Sequence, residues 1–243
     1  MSVPQGTAGY ITAKPQGGSG WNPYAYGNPV ILLDADLGIT LNGTDVSTWS
    51  DQSGNGNHVS QATEAAQPVY NVSDANFNGH ASITFDNSDD YLSRATLVGG
   101  ALAQPNTGFA VFKYANLTGF REVFDGVGSG NRHTLEGDGA NLVVGAGTNA
   151  TTDTAVTTTS VCGVLFNGAS TNSYLNGHAG AGGASGTDAL NGLAVGVNLN
   201  LTGAFMDGEI AYIIMYDSAL SAADISAVGT ALAAKYGTTW IDS

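Results

Sequence analysis

The segment Asp51-Gln52-Ser53-Gly54-Asn55-Gly56 carries oxygen-bearing side chains at its first, third and fifth positions and glycine at its sixth. That spacing matches the opening of a calcium loop, where oxygen ligands alternate along the chain and glycine permits a sharp turn around the ion. Asp51, Ser53 and Asn55 are therefore candidate calcium ligands. The twelfth position is Ala62 rather than a bidentate glutamate, so Asp34, Asp36 or Asp86 would have to complete the shell. The competing reading is a turn whose Asp and Asn side chains bond backbone N–H groups, and the incomplete ligand set favours it. A second acidic stretch, Asp86-Asn87-Ser88-Asp89-Asp90, gathers three carboxylates that could hold a cation or simply be solvated.

Other reactive residue types are dispersed. His58, His80, His133 and His178 do not pair at metal-ligand spacing. Cys162, the one cysteine, sits in an apolar run and reads as a buried small hydrophobe. No nucleophile elbow supports a Ser/His/Asp triad, and no phosphate-binding GxxxxGK[ST] loop is present.

The elements that must position these residues are mostly strands. Val30–Leu33, Ala81–Phe85, Gly108–Tyr114, Arg121–Phe124, Asn131–Glu136, Leu142–Gly145, Val161–Phe166, Thr171–Leu175, Gly192–Val197 and Gly208–Tyr216 are rich in Val, Ile, Phe and Tyr. Asn-Gly and Asp-Gly pairs, such as Asn78-Gly79, Asn167-Gly168 and Asn176-Gly177, separate them as tight turns would. Many short strands between regular turns predict an all-β antiparallel sandwich of jelly-roll type. One C-terminal helix is expected, capped by Ser221, with Asp224 in its first turn. Leu220, Ile225, Val228 and Leu232 lie at helical spacing, Lys235 is near its end and Gly237 is the C-cap. Its expected place is one edge or end of the sandwich.

Residues 1–29 differ from the rest. They hold four of the six prolines and the aromatics Tyr10, Trp21, Tyr24 and Tyr26. This stretch reads as an extended N-terminal arm, its aromatics packing on its own domain or docking on a partner. Residues 30–243 form the folded domain.

Composition excludes several classes of function. Six Lys+Arg against 20 Asp+Glu give a formal net charge of -14, and no Lys or Arg lies between Lys14 and Arg94, so no basic face is available for nucleic acid or for an anionic membrane. A single cysteine forms no internal disulfide. The longest apolar run, Ile210–Tyr216, is too short to span a bilayer. The N-terminus lacks a charged segment followed by an apolar one, so no secretory signal is expected.

Three segments carry a resemblance. They are Leu33-Asp34-Ala35-Asp36 followed by Val46–His58 with its Trp-Ser-Asp-Gln-Ser-Gly-Asn-Gly-Asn run; Phe77–Asp86 followed by Asp89-Asp90-Tyr91-Leu92; and Asp207–Asp217 with the capped helix. In this order, over residues 30–237, they resemble the laminin-G-like, concanavalin A-like jelly-roll domains of bacterial surface proteins and phage virion proteins. That family includes sugar-binding members and some glycosidases. The glycosidases place their carboxylates on one strand as Glu-x-Asp-x-(x)-Glu. Here Glu136-Gly137-Asp138 begins such a pattern, but Ala140 and Asn141 follow where the second Glu should stand. Glu122 and Asp125 are close in sequence, but their spacing in a regular strand puts them on opposite faces. No catalytic pair is therefore expected, and the chain reads as non-catalytic.

The resemblance and the arm together imply a structural virion component, such as a head decoration, tail or fibre protein, with other virion proteins and copies of itself as partners. The alternative is a carbohydrate-binding module of a bacterial surface or secreted protein. Glycan binding is common to both.

Overall fold

The computed structural model describes residues 21–243. Tyr10 lies outside them. The first 3-10 turn, Pro23–Ala25, is capped by the Asn22 side chain, which accepts from the Tyr24 N–H. The strands follow in chain order: β1 (Pro29–Asp34), β2 (Ile39–Asn42), β3 (Asp45–Trp49), β4 (Val59–Ser60), β5 (Val69–Asn71), β6 (Ser82–Asp86), β7 (Leu92–Arg94), β8 (Asn106–Tyr114), β9 (Arg121–Asp125), β10 (Thr134–Gly137), β11 (Asn141–Gly145), β12 (Asn149–Thr154), β13 (Ser160–Phe166), β14 (Asn172–Leu175), β15 (His178–Ala179), β16 (Leu193–Val195) and β17 (Asp207–Tyr216). One helix, α1 (Ala222–Tyr236), closes the described chain.

All pairings are antiparallel, as hairpin turns require. β17 organises one layer. It pairs with β8 on one side, and on the other with β6 and then β1. From β8 the layer continues through β13, β14 and β15. The second layer runs β4, β7, β16, β9, β10, β11, β12. β3 pairs with β2, β4 and β5 and joins the two layers at one edge. The result is an antiparallel β-sandwich.

Alternation along the strands sets the layers. Ile31 and Leu33 of β1, with Ala110, Phe112 and Tyr114 of β8, point between the sheets. There they meet Trp49, Val123, Phe124, Leu135, Leu142 and Val144 in one core. Leu32, Phe109, Val111 and Val161 point the other way, into a second core. β17 serves both. A register shift after Ile210 sends Ala211 and Tyr212 to the outer core, and Ile213 and Met215 return inward. A strand buried on both faces needs no polar alternation, which is why Ile210–Tyr216 is a continuous apolar run.

The outer core determines where α1 lies. The helix does not sit at an edge or end of the sandwich, as its sequence position suggested. It lies across the outer face of the β17 layer, where Ile225, Val228, Leu232 and Tyr236 cover Phe109, Val111, Val161, Tyr212 and Ile214. An uncovered face of that size would leave large aromatic and aliphatic side chains in water. The caps fall where the sequence places them: Ser221 Oγ accepts from Asp224 N, and Gly237 adopts φ 72°. Lys235, in the last turn, bonds Asp34 Oδ2 at 2.8 Å and Asp36 Oδ2 at 3.1 Å, locking the helix end onto the strand layer.

The described part of the arm packs on this same domain. Trp21 stacks on Tyr26 with centroids 5.7 Å apart, and both rest on the outer core. Tyr24 Oη donates to Gln52 O at 2.8 Å, and Tyr216 Oη donates to Pro23 O at 3.0 Å. Among the described residues no helix is long and apolar enough to cross a membrane.

Candidate functional site

β9 and β10 lie side by side near the middle of the second layer. Their register places Glu122 opposite Glu136 and Phe124 opposite Leu135, leaving Val123 with no opposite number. Val123 is thus a β-bulge. In a regular strand, residues three apart face opposite ways. The extra residue reverses that: Val123 and Phe124 both enter the core, and Asp125 returns to the face that carries Glu122. The expectation that Glu122 and Asp125 diverge is corrected by this one bulge. The second carboxylate missing beside Glu136 comes not from its own strand but from the neighbouring one.

The cluster is deeply set. Glu122 and Asp125 are 0% exposed and Glu136 is 4% exposed. Thr134 Oγ1 donates to Glu122 Oε1. Asn149 Nδ2, from β12, donates to Glu136 Oε1 at 2.7 Å. Arg132 grips Asp125 through Nε and Nη2, each 3.0 Å from Oδ2, and its Nη1 donates to Asn149 Oδ1 at 3.2 Å. The Gly126 and Leu199 N–H groups complete the Asp125 carboxylate. The donors of this network go to Asp125, Asn149, Glu136 and one oxygen of Glu122. No protein donor reaches Glu122 Oε2.

Glu136 stands directly opposite Glu122 on the neighbouring strand. Two buried carboxyls side by side resist ionising together. Burial, followed by the neighbouring Asp125 and Glu136 charges, pushes the Glu122 carboxyl well above the usual range. Burial raises Glu136 as well.

The cluster floors a cleft of about 510 Å³. Phe120, just before β9, Arg121, its first residue, and Phe205, from the loop before β17, line its walls with Asn87 and Asn198. Phe120 is 56% exposed. Arg121 Nη1 donates to Phe120 O at 2.8 Å, while its buried Nε has no partner. Nothing in the spacing of Phe120 and Phe205 marks them as neighbours. The register of β9 and β10 and the approach of the 196–206 loop bring them together.

The other sequence candidates lie elsewhere. Asp51 Oδ1 accepts from the N–H groups of Leu32 and Ser53, and Oδ2 accepts from Ser53 Oγ and the Asn57 N–H. Asn55 Nδ2 donates to Pro29 O at 2.9 Å, and Ser53 Oγ donates to Val30 O. The loop thus ties the start of β1 to the end of β3, with its carboxylate saturated by protein donors. Asp86, Asp89 and Asp90 each bring a carboxylate oxygen within 4.8 Å of the others. Burial, then the Asp86 charge, lifts Asp90 to about 7. This loop borders the cleft through Asn87. The histidines remain apart: His58 accepts from Asp51 N, His80 pairs with Asp36, His178 with Asp153, and His133 stacks on Phe166.

No protein-family profile and no curated protein sequence matches the chain. Solved structures do match. An arabinofuranosidase complexed with arabinofuranosyl-alpha-1,2-xylobiose superposes with a TM-score of 0.62 at 15% identity, over 79% of this chain and 51% of its own. Domain 4 of an extracellular arabinanase from Geobacillus stearothermophilus, in complex with arabinotriose, gives 0.59 at 15%, over 84% of this chain and 99% of its own. The receptor binding domain of botulinum neurotoxin type G gives 0.56 at 11%, over 83% and 51%. The chain spans about half of the first and third of these and nearly all of the second. At such identities the likeness defines a class of fold, the all-β sandwich that these proteins share.

Proposed function

We propose that this chain is a carbohydrate-binding β-sandwich module whose ligand lies in the Glu122–Glu136 cleft. One observation carries the reading: a buried acceptor without a donor, Glu122 Oε2, and a buried donor without an acceptor, Arg121 Nε, line one cleft beside the exposed ring of Phe120. Unpaired buried polar groups are costly, and vicinal hydroxyls supply the missing partners of both kinds. An exposed aromatic face offers the apolar surface on which sugar C–H groups stack. Two of the fold neighbours are described with arabinose-containing oligosaccharides bound, which supports the same reading.

Binding without hydrolysis is favoured by the carboxyl geometry. Glycosidases hold their two carboxyls about 5–5.5 Å or about 6.5–9.5 Å apart so that the scissile bond or a water fits between them. Glu122 and Glu136 are direct cross-strand partners and are buried, 0% and 4% exposed. A bacterial surface or extracellular setting suits such a module. The virion reading draws on the aromatic arm, and three of its four rings are accounted for by packing on this chain's own domain. The carbohydrate reading is therefore preferred.

The test is a broad glycan array, followed by titration calorimetry with the wild type and with Phe120→Ala. Binding is expected, with at least a fivefold loss in the variant, because stacking is worth about 1 kcal/mol or more. Silence across the array, or full affinity in Phe120→Ala, would remove this reading.

A further inference from the structure

The charges around the cleft do not cancel. Arg132 is consumed by Asp125, with two contacts of 3.0 Å. Arg121 is the one other guanidinium lining the cleft, against two lining carboxyls, Glu122 and Glu136. Thr134, Asn149, Asn87 and Asn198 are neutral. At the border, Asp86, Asp89 and Asp90 add three carboxyls without a cation among their recorded partners. The chain as a whole carries -14. An acidic cluster is common on protein surfaces, but this one contains a side chain that is not: Glu122 is completely buried, forms part of the cleft floor and has an oxygen that no protein donor reaches.

We infer that the cleft selects a sugar bearing a protonated amine, a 2-amino-2-deoxy sugar rather than its N-acetylated form, whose ammonium donates to Glu122 Oε2 and to Glu136. An ammonium has three N–H donors and no acceptor. It supplies the donor that Glu122 Oε2 lacks and compensates the charge on the floor. Charge-assisted bonds of this kind are about twice as strong as neutral ones. A hydroxyl or acetamido group at that position leaves the negative charge uncompensated. This inference rests on the carbohydrate-binding reading and narrows it to one ligand chemistry.

The test compares fully deacetylated and fully acetylated glucosamine oligomers of equal length by calorimetry, in mildly acidic buffer that keeps the amine protonated. Wild type is measured beside Glu122→Gln, Glu136→Gln and Glu64→Gln. The last removes an equal charge from an exposed turn. Thermal melts establish that each variant is folded. The wild type is expected to bind the deacetylated oligomer at least tenfold more tightly, a preference abolished in Glu122→Gln and Glu136→Gln and kept in Glu64→Gln. Equal affinity for the two oligomers overturns the inference. So does a preference that survives both cleft variants, since that would be general attraction to an acidic chain. If neither oligomer binds while the array reports other glycans, the amine inference falls and the carbohydrate reading stands. A silent array overturns both.

Discussion

The raised carboxyl of Glu122 makes the stability of this protein depend on pH in a way one substitution should erase. In the unfolded chain both glutamates ionise near the ordinary value of 4.5. In the fold, burial and neighbouring charge hold the Glu122 carboxyl protonated far beyond that point. Below pH 4.5 both states carry the proton and the folded state loses nothing. As pH rises, the unfolded chain releases a proton that the fold keeps, and the equilibrium shifts toward unfolding by about 1.4 kcal/mol per pH unit until the folded group also titrates. Glu122→Gln removes the ionisable group, and its amide supplies a donor to Glu136 where the native carboxyl has none to give when ionised. The variant should therefore match the wild type near pH 4 and exceed it progressively above. The gain should reach roughly 1–4 kcal/mol at pH 8, the range seen when poorly compensated buried ions are replaced. For a chain of this length that is a rise in melting temperature of roughly 2–4 °C per kcal/mol. Urea denaturation of both proteins at intervals between pH 4 and 8 gives the difference curve directly. A flat difference, or a variant that loses ground as pH rises, would refute the picture of a proton retained on the buried Glu122 carboxyl.

Three further outcomes are expected. His133 is buried against Phe166, and burial lowers its imidazole to about 4, so stability held above the unfolded value of 6.5 should fall by about 3 kcal/mol as pH drops from there to 4, a loss that His133→Phe removes in the same titration. Asp51→Ala strips the partners from three backbone N–H groups and should cost about 2–4 kcal/mol, with melts in calcium and in chelator superimposing for both proteins if the carboxylate works only as a turn cap. Gly229→Ala would place a Cβ 2.3 Å from the Trp240 ring, so the variant should lose about 1–3 kcal/mol and show a changed tryptophan emission spectrum as the ring is displaced from the helix.

The fold could be read from the chain wherever local chemistry dictates it. Asn176 and Gly177 both take positive φ, 53° and 91°, in the two-residue turn between β14 and β15, as that dipeptide requires. Ser221 and Gly237 cap α1 because their side chain and backbone freedom suit no other place nearby. Strands such as β8 and β13 declare themselves by apolar content. What could not be read depends on distant partners. β2 is only four residues long and mostly exposed, and β12 is polar, so both give a weak signal and owe their form to pairing with β3 and β11. The site of α1 depends on an outer apolar face that exists only once β1, β8, β13 and β17 are assembled. The cleft is the extreme case. Glu122 and Glu136 meet across strands, Asp125 joins them through a bulge, and Phe205 arrives from a distant loop.

The bulge at Val123 has a consequence for recognising kin of this molecule. The face that Asp125 presents is set by a count of residues, not by which residues they are. Deleting Val123 would remove the bulge and leave Glu122 and Asp125 two apart in a regular strand, still on one face, with Phe124 alone entering the core. Chains that keep this cleft can therefore differ by one residue in the interval between Glu122 and Asp125, provided the pairing with the next strand absorbs the difference. A pattern search at fixed spacing passes over such chains. Aligning the β9–β10 ladder rung by rung, and asking which side chain stands opposite Glu136, finds them.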